Sequence, residues 1–142
     1  MFRATQNNLP ADVAVFSAAV SDYKAKEISK TKIKKQDKFN LELEKNVDIL
    51  NYISNHNSLR PKLVIGFAAE TNNLEKYANK KLNEKNCDWI IGNDISNQKI
   101  GFGSDFNEVS IFYKNNKMEK LNYKPKSEIS DELVDKIISH LN

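Results

Sequence analysis

At 142 residues, with 39% hydrophobic and 29% charged side chains, the chain has the length of one domain and the balance of an ordinary globular core. A formal net charge of +3 falls well short of a nucleic-acid-binding tail and fits a few lysines gathered around a small anion. The single Cys87 excludes an internal disulfide framework, two histidines argue against a zinc site, and no apolar run suits a bilayer or a signal peptide, so a reducing cytoplasm is the expected setting.

Met1 to Asn8 reads as the tail of a helix, and Pro10 precedes the first strand. Asp12 to Ser17 (DVAVFS) is a valine-rich apolar run, expected to be a buried strand. Ala18 to Phe39 is long, polar and lysine-rich, without periodicity; such loops are functional or mobile. Val47 to Ser54 places Val47, Leu50, Tyr52 and Ile53 at near-helical spacing, with Asn46 as the candidate cap. Lys62 to Phe67 (KLVIGF) and Asp88 to Asn93 (DWIIGN) repeat the strand signature. Runs that do not alternate predict strands covered on both faces, as in a parallel sheet.

Between those two strands, Asn73 to Lys85 carries Leu74, Tyr77, Ala78 and Leu82 on one helical face. Ser96 to Asn107 is rich in Gly, Asn and Asp and is the second segment without periodicity. Glu108 to Tyr113 (EVSIFY) alternates, Asn115-Asn116 marks a turn, and Lys117 to Tyr123 continues: a hairpin at a sheet edge. Ser127 to Leu141 predicts a closing amphipathic helix with the stripe Ile129, Leu133, Ile137 and Leu141; Ser127, Ser130 and Glu132 are its capping choices. The order strand–helix–strand–helix–strand points to an α/β fold with a mostly parallel sheet.

In open α/β sheets, ligands bind beyond the carboxyl ends of the strands. Three loops qualify. After the first strand, small Ala18 and Ala19 leave room for a base or sugar, and Asp22 either accepts from ligand hydroxyls or holds a metal-bound water, or caps a turn. After the second, Gly66 permits close backbone approach, and Phe67 either stacks on a base or is ordinary core. After the third, Asn93-Asp94 also suits a plain turn. Lys32, Lys34 and Lys35 cluster in the long loop, and Lys81 and Lys85 share a helical face. Lysines in these places are either solvated surface groups or mobile point charges for a polyphosphate. No G-x-G-x-x-G or Walker pattern is present.

Several strings taken together resemble the phosphopantothenoylcysteine synthetase family. They are Ala18 to Tyr23 (AAVSDY) followed by Lys32 to Lys35 (KIKK), Lys45 to Leu50 (KNVDIL), Gly66 to Thr71 (GFAAET), Asn93-Asp94, and Phe102 to Asp105 (FGSD) with Asn107 after it. They fall in the family's order and cover nearly the whole chain. The resemblance implies a Rossmann-like domain over residues 1–142 that joins 4′-phosphopantothenate to cysteine through an acyl-cytidylate, with CTP and Mg²⁺. It implies that Asp22 contacts the nucleotide, and that Lys32 contacts the phosphates as the catalytic lysine beside a flap at 33–40. It further implies that Val47, Asp48, Ile49 and Leu50 lie against the nucleotide, that Phe67 stands at the cytosine pocket, and that Lys81 and Lys85 contact CTP.

The same resemblance implies a homodimer and a fused or separate flavin-dependent phosphopantothenoylcysteine decarboxylase as partner. Val47 stands where the family usually has proline, which loosens the helix start and removes no functional group. The family's opening Gly-rich strand–turn–helix has no counterpart here, so the expectation is a domain truncated at the front. The alternative reading is a module that keeps the fold and dimerises without turnover. A nucleic-acid-binding domain is a weaker third, lacking aromatic–basic interleaving.

Overall fold

The apolar runs become the middle of a sheet, and the amphipathic segments cover its two faces. The computed structural model describes residues 1–29, 31–34, 38–96 and 103–142. Its elements are α1 (Phe2–Asn7), β1 (Val13–Phe16), β2 (Tyr23–Ala25), β3 (Leu43–Lys45), α2 (Ile49–Ser54), β4 (Leu63–Glu70), α3 (Leu74–Lys85), β5 (Trp89–Asp94), β6 (Phe106–Tyr113), β7 (Met118–Pro125) and α4 (Lys126–Leu141). One sheet has the order β1-β4-β5-β6-β7, and β2 and β3 form a separate ribbon. β1, β4 and β5 are parallel neighbours, while β6 is antiparallel to both β5 and β7, so β6 alone runs against the rest. The α/β class, the flanking helices and the closing hairpin plus helix are as the sequence predicts.

Side-chain alternation along β4 divides the core. Val64 and Ala68 face α2 and α3, where they meet Leu50, Ile53, Ala78 and Leu82. Leu63 and Ile65 face the other way, toward Trp89, Ile111, Leu121 and Ile129 under α4. β4 is buried through most of its length because helices cover both faces.

Several boundaries differ from expectation. β1 is an edge strand rather than a buried one, with Val15 51% exposed, because β4 is its one neighbour in the sheet. β4 runs on to Glu70, so Gly66 to Glu70 is strand rather than loop. A β-carbon at Gly66 would lie 2.6 Å from Leu50 Cδ2 and 2.9 Å from Ile90 Cδ1, so that glycine admits a helix against the sheet, not a ligand. Asn46 does not cap α2; Asp48 does, its Oδ1 accepting from the Asn51 N–H at 2.9 Å. α4 starts after Pro125 without a side-chain cap, and Ser130 instead donates back to the Lys126 carbonyl. Tyr77, placed on the apolar face of α3, is 40% exposed.

The long polar loop holds structure that its sequence hid. Tyr23↔Lys45, Lys24↔Glu44 and Ala25↔Leu43 pair across the β2–β3 ribbon. Lys24–Glu44 and Lys26–Glu42 bridges close one side of it, at 3.0 and 2.9 Å. Lys35, part of the expected flap (35–37), and Phe102 of the FGSD string lie outside the described residues.

Candidate functional site

The carboxyl ends of β1 and β4 open into a cleft of about 790 Å³. One wall is the turn after β1, from Ser17 to Asp22. Asn46 ties that turn to the start of α2: its N–H donates to the Asp22 carbonyl and its side-chain amide to the Ser21 carbonyl, both at 2.8 Å. The second wall is Val47 to Leu50. The third is the exposed face of α3, where Tyr77, Lys81 and Lys85 follow at helical spacing; the floor is Phe67 to Glu70 of β4. Asn93, Gly103, Asn107 and Lys126 close the far side.

The two α3 lysines are held differently. Lys81 Nζ donates to the Phe67 carbonyl at 2.7 Å, a neutral acceptor. Lys85 Nζ lies 2.6 Å from Asp48 Oδ2. Burial works against ionisation of Asp48, but the Lys85 ammonium, the Asn51 N–H and the charge of Lys81 outweigh it and hold the carboxyl below its usual range. The Lys85 ammonium is held above its usual range, first by its hydrogen bond to Asp48 and, against partial burial, by the charges of Asp48, Glu84 and Asp22. Asp22, Asp48, Lys81 and Lys85 thus form one electrostatic group.

The lining is not the simple cationic cradle that a count of lysines suggests. Lys80, Lys81, Lys85 and Lys126 are faced by Asp22, Asp48, Glu70 and Glu84, so the described lining is close to neutral. Asp22 and Asp48 were among the expected site residues; Glu70 and Glu84 complete the balance, brought to the cleft by β4 and α3.

Of the predicted site residues, Asp22, Val47, Asp48, Ile49, Leu50, Phe67, Lys81 and Lys85 line this one cleft. Lys32 does not; it stands exposed on the segment after the ribbon's first strand. Phe67 is half-buried: it packs against the cluster under α4 and also lines the cleft. Asp94 serves a turn, accepting from the Ser96 N–H at 2.8 Å, while Asn93 reaches the cleft. Tyr77, Lys80 and Glu84 were missed; their signal was the helical repeat with Lys81 and Lys85. Among the described residues, no three His, Cys, Asp or Glu side chains gather as a metal cage.

At the opposite end of the sheet the chemistry is structural. Arg60 Nη2 donates to both Asp88 oxygens at 3.0 Å, its Nε to the Ser54 carbonyl at 2.7 Å, and Asp88 Oδ2 accepts from the Val64 N–H at 2.7 Å. A second cavity of about 690 Å³ lies nearby, beside Trp89, Tyr113, Lys136 and His140. Among the described residues, no helix is long and apolar enough to cross a membrane.

A family model described as the DNA/pantothenate metabolism flavoprotein C-terminal domain matches residues 1–141. The coenzyme A biosynthesis bifunctional protein CoaBC of Bacillus subtilis (strain 168) is 39% identical over 128 residues, which cover 89% of this chain and 31% of that protein. The protein of the same name from Haemophilus influenzae is 42% identical over 122 residues, covering 85% and 30%. The crystal structure of the C-terminal domain of a CoaBC protein superposes with a TM-score of 0.73 at 33% identity, over 99% of this chain and 60% of that one. The chain therefore spans about a third of the length of these curated relatives.

Proposed function

The chain belongs to the family of the DNA/pantothenate metabolism flavoprotein C-terminal domain, and on that premise we propose that it serves the ligase step of coenzyme A synthesis, the CTP-dependent joining of 4′-phosphopantothenate to cysteine. The observation that carries the reading is the single cleft that gathers Asp22, Val47 to Leu50, Phe67, Lys81 and Lys85, in a chain 39% identical to a coenzyme A biosynthesis protein.

Two displacements make up the reaction. A carboxylate oxygen of 4′-phosphopantothenate attacks the α-phosphorus of CTP; the bond to the bridging oxygen breaks and pyrophosphate leaves. The amine of cysteine then attacks the acyl carbon of the acyl-cytidylate, the acyl–oxygen bond breaks, CMP departs, and the amine's proton passes to solvent. The protein must hold two anions together and offset the charge that builds on the departing pyrophosphate.

Lys81 and Lys85 are positioned for that charge, on one face of a rigid helix. The turn at Ala18 to Asp22 faces the nucleoside, with Asp22 accepting from its hydroxyls. The main chain of Val47 to Leu50 and the half-buried Phe67 shape the pocket for the base. Lys32, outside the cleft lining, is the catalytic lysine of this reading and must move toward the cleft to reach the phosphates. Mg²⁺ would enter with CTP as the counter-ion of its phosphates and would offset the charge of the departing pyrophosphate.

A homodimer suits the ribbon. Tyr23 and Leu43 stand more than half exposed on it, and a free two-stranded ribbon is marginal in water. A cytoplasmic setting and a fused or separate flavin-dependent decarboxylase complete the reading. The test is turnover of 4′-phosphopantothenate and cysteine with CTP and Mg²⁺, followed as pyrophosphate release. CTP-dependent product supports the ligase. CTP binding without turnover favours the non-catalytic dimerisation module, and equal binding of ATP and CTP contradicts the proposed pocket.

A further inference from the structure

We propose that Asp48 is a built-in counter-anion: it holds Lys85 at the wall of the cleft, and a polyphosphate must draw Lys85 away from it in order to bind. The inference rests on the nucleotide reading above and concerns how the same site chooses its ligand.

One carboxylate serves two partners. Its Oδ1 accepts from the Asn51 N–H at 2.9 Å and so caps α2; its Oδ2 lies 2.6 Å from Lys85 Nζ. The cap fixes the carboxylate to the start of a helix. Lys85 carries its charge on a flexible four-carbon stem, so Lys85 is the member that moves. The pair sits where a ligand reaches it, with side chains 30% and 41% exposed. Lys81, one turn earlier, rests on the neutral Phe67 carbonyl instead. The two lysines are therefore unequal: an entering anion meets the charge of Lys81 directly and has to compete with Asp48 for Lys85.

Competition of this kind sets a threshold. A short or weakly charged anion gains the contact with Lys81 and leaves the Asp48–Lys85 pair closed. A triphosphate carries enough charge to win Lys85. When pyrophosphate leaves, Asp48 recaptures Lys85 and so opposes rebinding of the product. Asp48 is a positioning residue in this account, acting through Lys85 rather than on the reacting atoms.

Asn and Ser both cap helices about as well as Asp, so Asp48→Asn and Asp48→Ser remove the charge and keep the cap, while Asp48→Ala removes both. Calorimetric titration of the chain with Mg²⁺-free CTP should show both neutral caps binding about fivefold tighter than wild type, the scale of a partly exposed ion pair. The gain should vanish when Lys85→Met is added, and the melting temperature should fall furthest for Asp48→Ala, which loses the cap as well as the charge. A merely structural Asp48 would move the melting temperature and leave affinity untouched. Unchanged or weaker affinity in the Asn and Ser variants, or a gain that survives Lys85→Met, overturns the proposal. Inorganic tripolyphosphate, titrated in parallel, reads the lysines without the base. If it binds and responds to Asp48→Asn while CTP gives no heat, the nucleotide reading fails and this inference stands. If neither ligand binds, both fall.

Discussion

Two aspartates each accept from a backbone N–H and face a basic side chain, yet do different work, and Asp88 has Lys114 at 3.7 Å beside Arg60. Asp88 stands just before β5, accepts from the Val64 N–H, and binds Arg60. Asp48 stands just before α2, accepts from the Asn51 N–H, and binds Lys85. What differs is the cation. Arg60 is fully engaged, donating also to the carbonyls of Ser54, Pro61 and Asn86, so that its planar fork ties α2, β4 and β5 together. Lys85 ends in a compact ammonium held by one carboxylate at the rim of a cleft. An ion pair whose members are saturated on all sides is structural; one whose cation can leave is available to a ligand.

That contrast predicts a hierarchy of effects. Arg60→Ala leaves Asp88 partly buried without its fork and removes three carbonyl contacts. Unfolding by urea should register a loss of about 2 kcal/mol, below the range for fully buried pairs because both partners are a fifth to a quarter exposed. CTP affinity of the folded fraction should stay within about twofold. The double change Lys81→Ala, Lys85→Ala should reverse the pattern. It weakens CTP binding at least about tenfold, near 1.4 kcal/mol, while stability moves by about 0.5 kcal/mol or less.

Gly66→Ala tests the mechanical link between core and cleft. Its new methyl would press on Leu50 and Ile90, whose side-chain ends can shift, so the cost should be near the low end of overpacking, about 1 kcal/mol. Since Leu50 also lines the cleft, CTP affinity should fall with it, which calorimetry at matched temperature would register.

The smallest effect is in acid. The folded-state Asp48 carboxyl lies below its usual range, so its contribution is full at neutral pH and is lost as pH falls through that lowered value. Wild type should exceed Asp48→Asn in stability by about 0.5 kcal/mol between pH 7 and pH 5, a figure discounted for exposure of the pair. The gap should close below pH 4, as urea melts at pH 7, 5 and 3 would reveal.

Where local pattern and burial agree, the structure follows the sequence closely. β4 and β5 are covered on both faces and read as unbroken apolar runs; β6 and β7 alternate because one face is better covered than the other. α3 declares itself through Ala78 and Leu82. The misses share one physical cause, pairing with partners distant in sequence. Nothing within Tyr23 to Ala25 or Leu43 to Lys45 reads as strand alone, because each is stabilised by the other across a long connection. β1 looks like a buried strand because its composition does not report how many neighbours it has.

The site was legible in the same partial way. Lys81 and Lys85 could be placed on one face from their spacing, and the strand-end rule located the cleft. The cap at Asp48, the packing role of Gly66 and the near-neutral lining needed coordinates, since each depends on which side chain a distant segment presents.

Backbone amide shifts in a nuclear magnetic resonance titration with Mg²⁺–CTP test the central claim most directly. The account predicts saturable shifts at Ala18 to Asp22, Val47 to Leu50, Phe67, Lys81 and Lys85, with Trp89, Tyr113 and His140 at the far end unmoved. Shifts confined to that far end, or none at all at millimolar CTP, would contradict it.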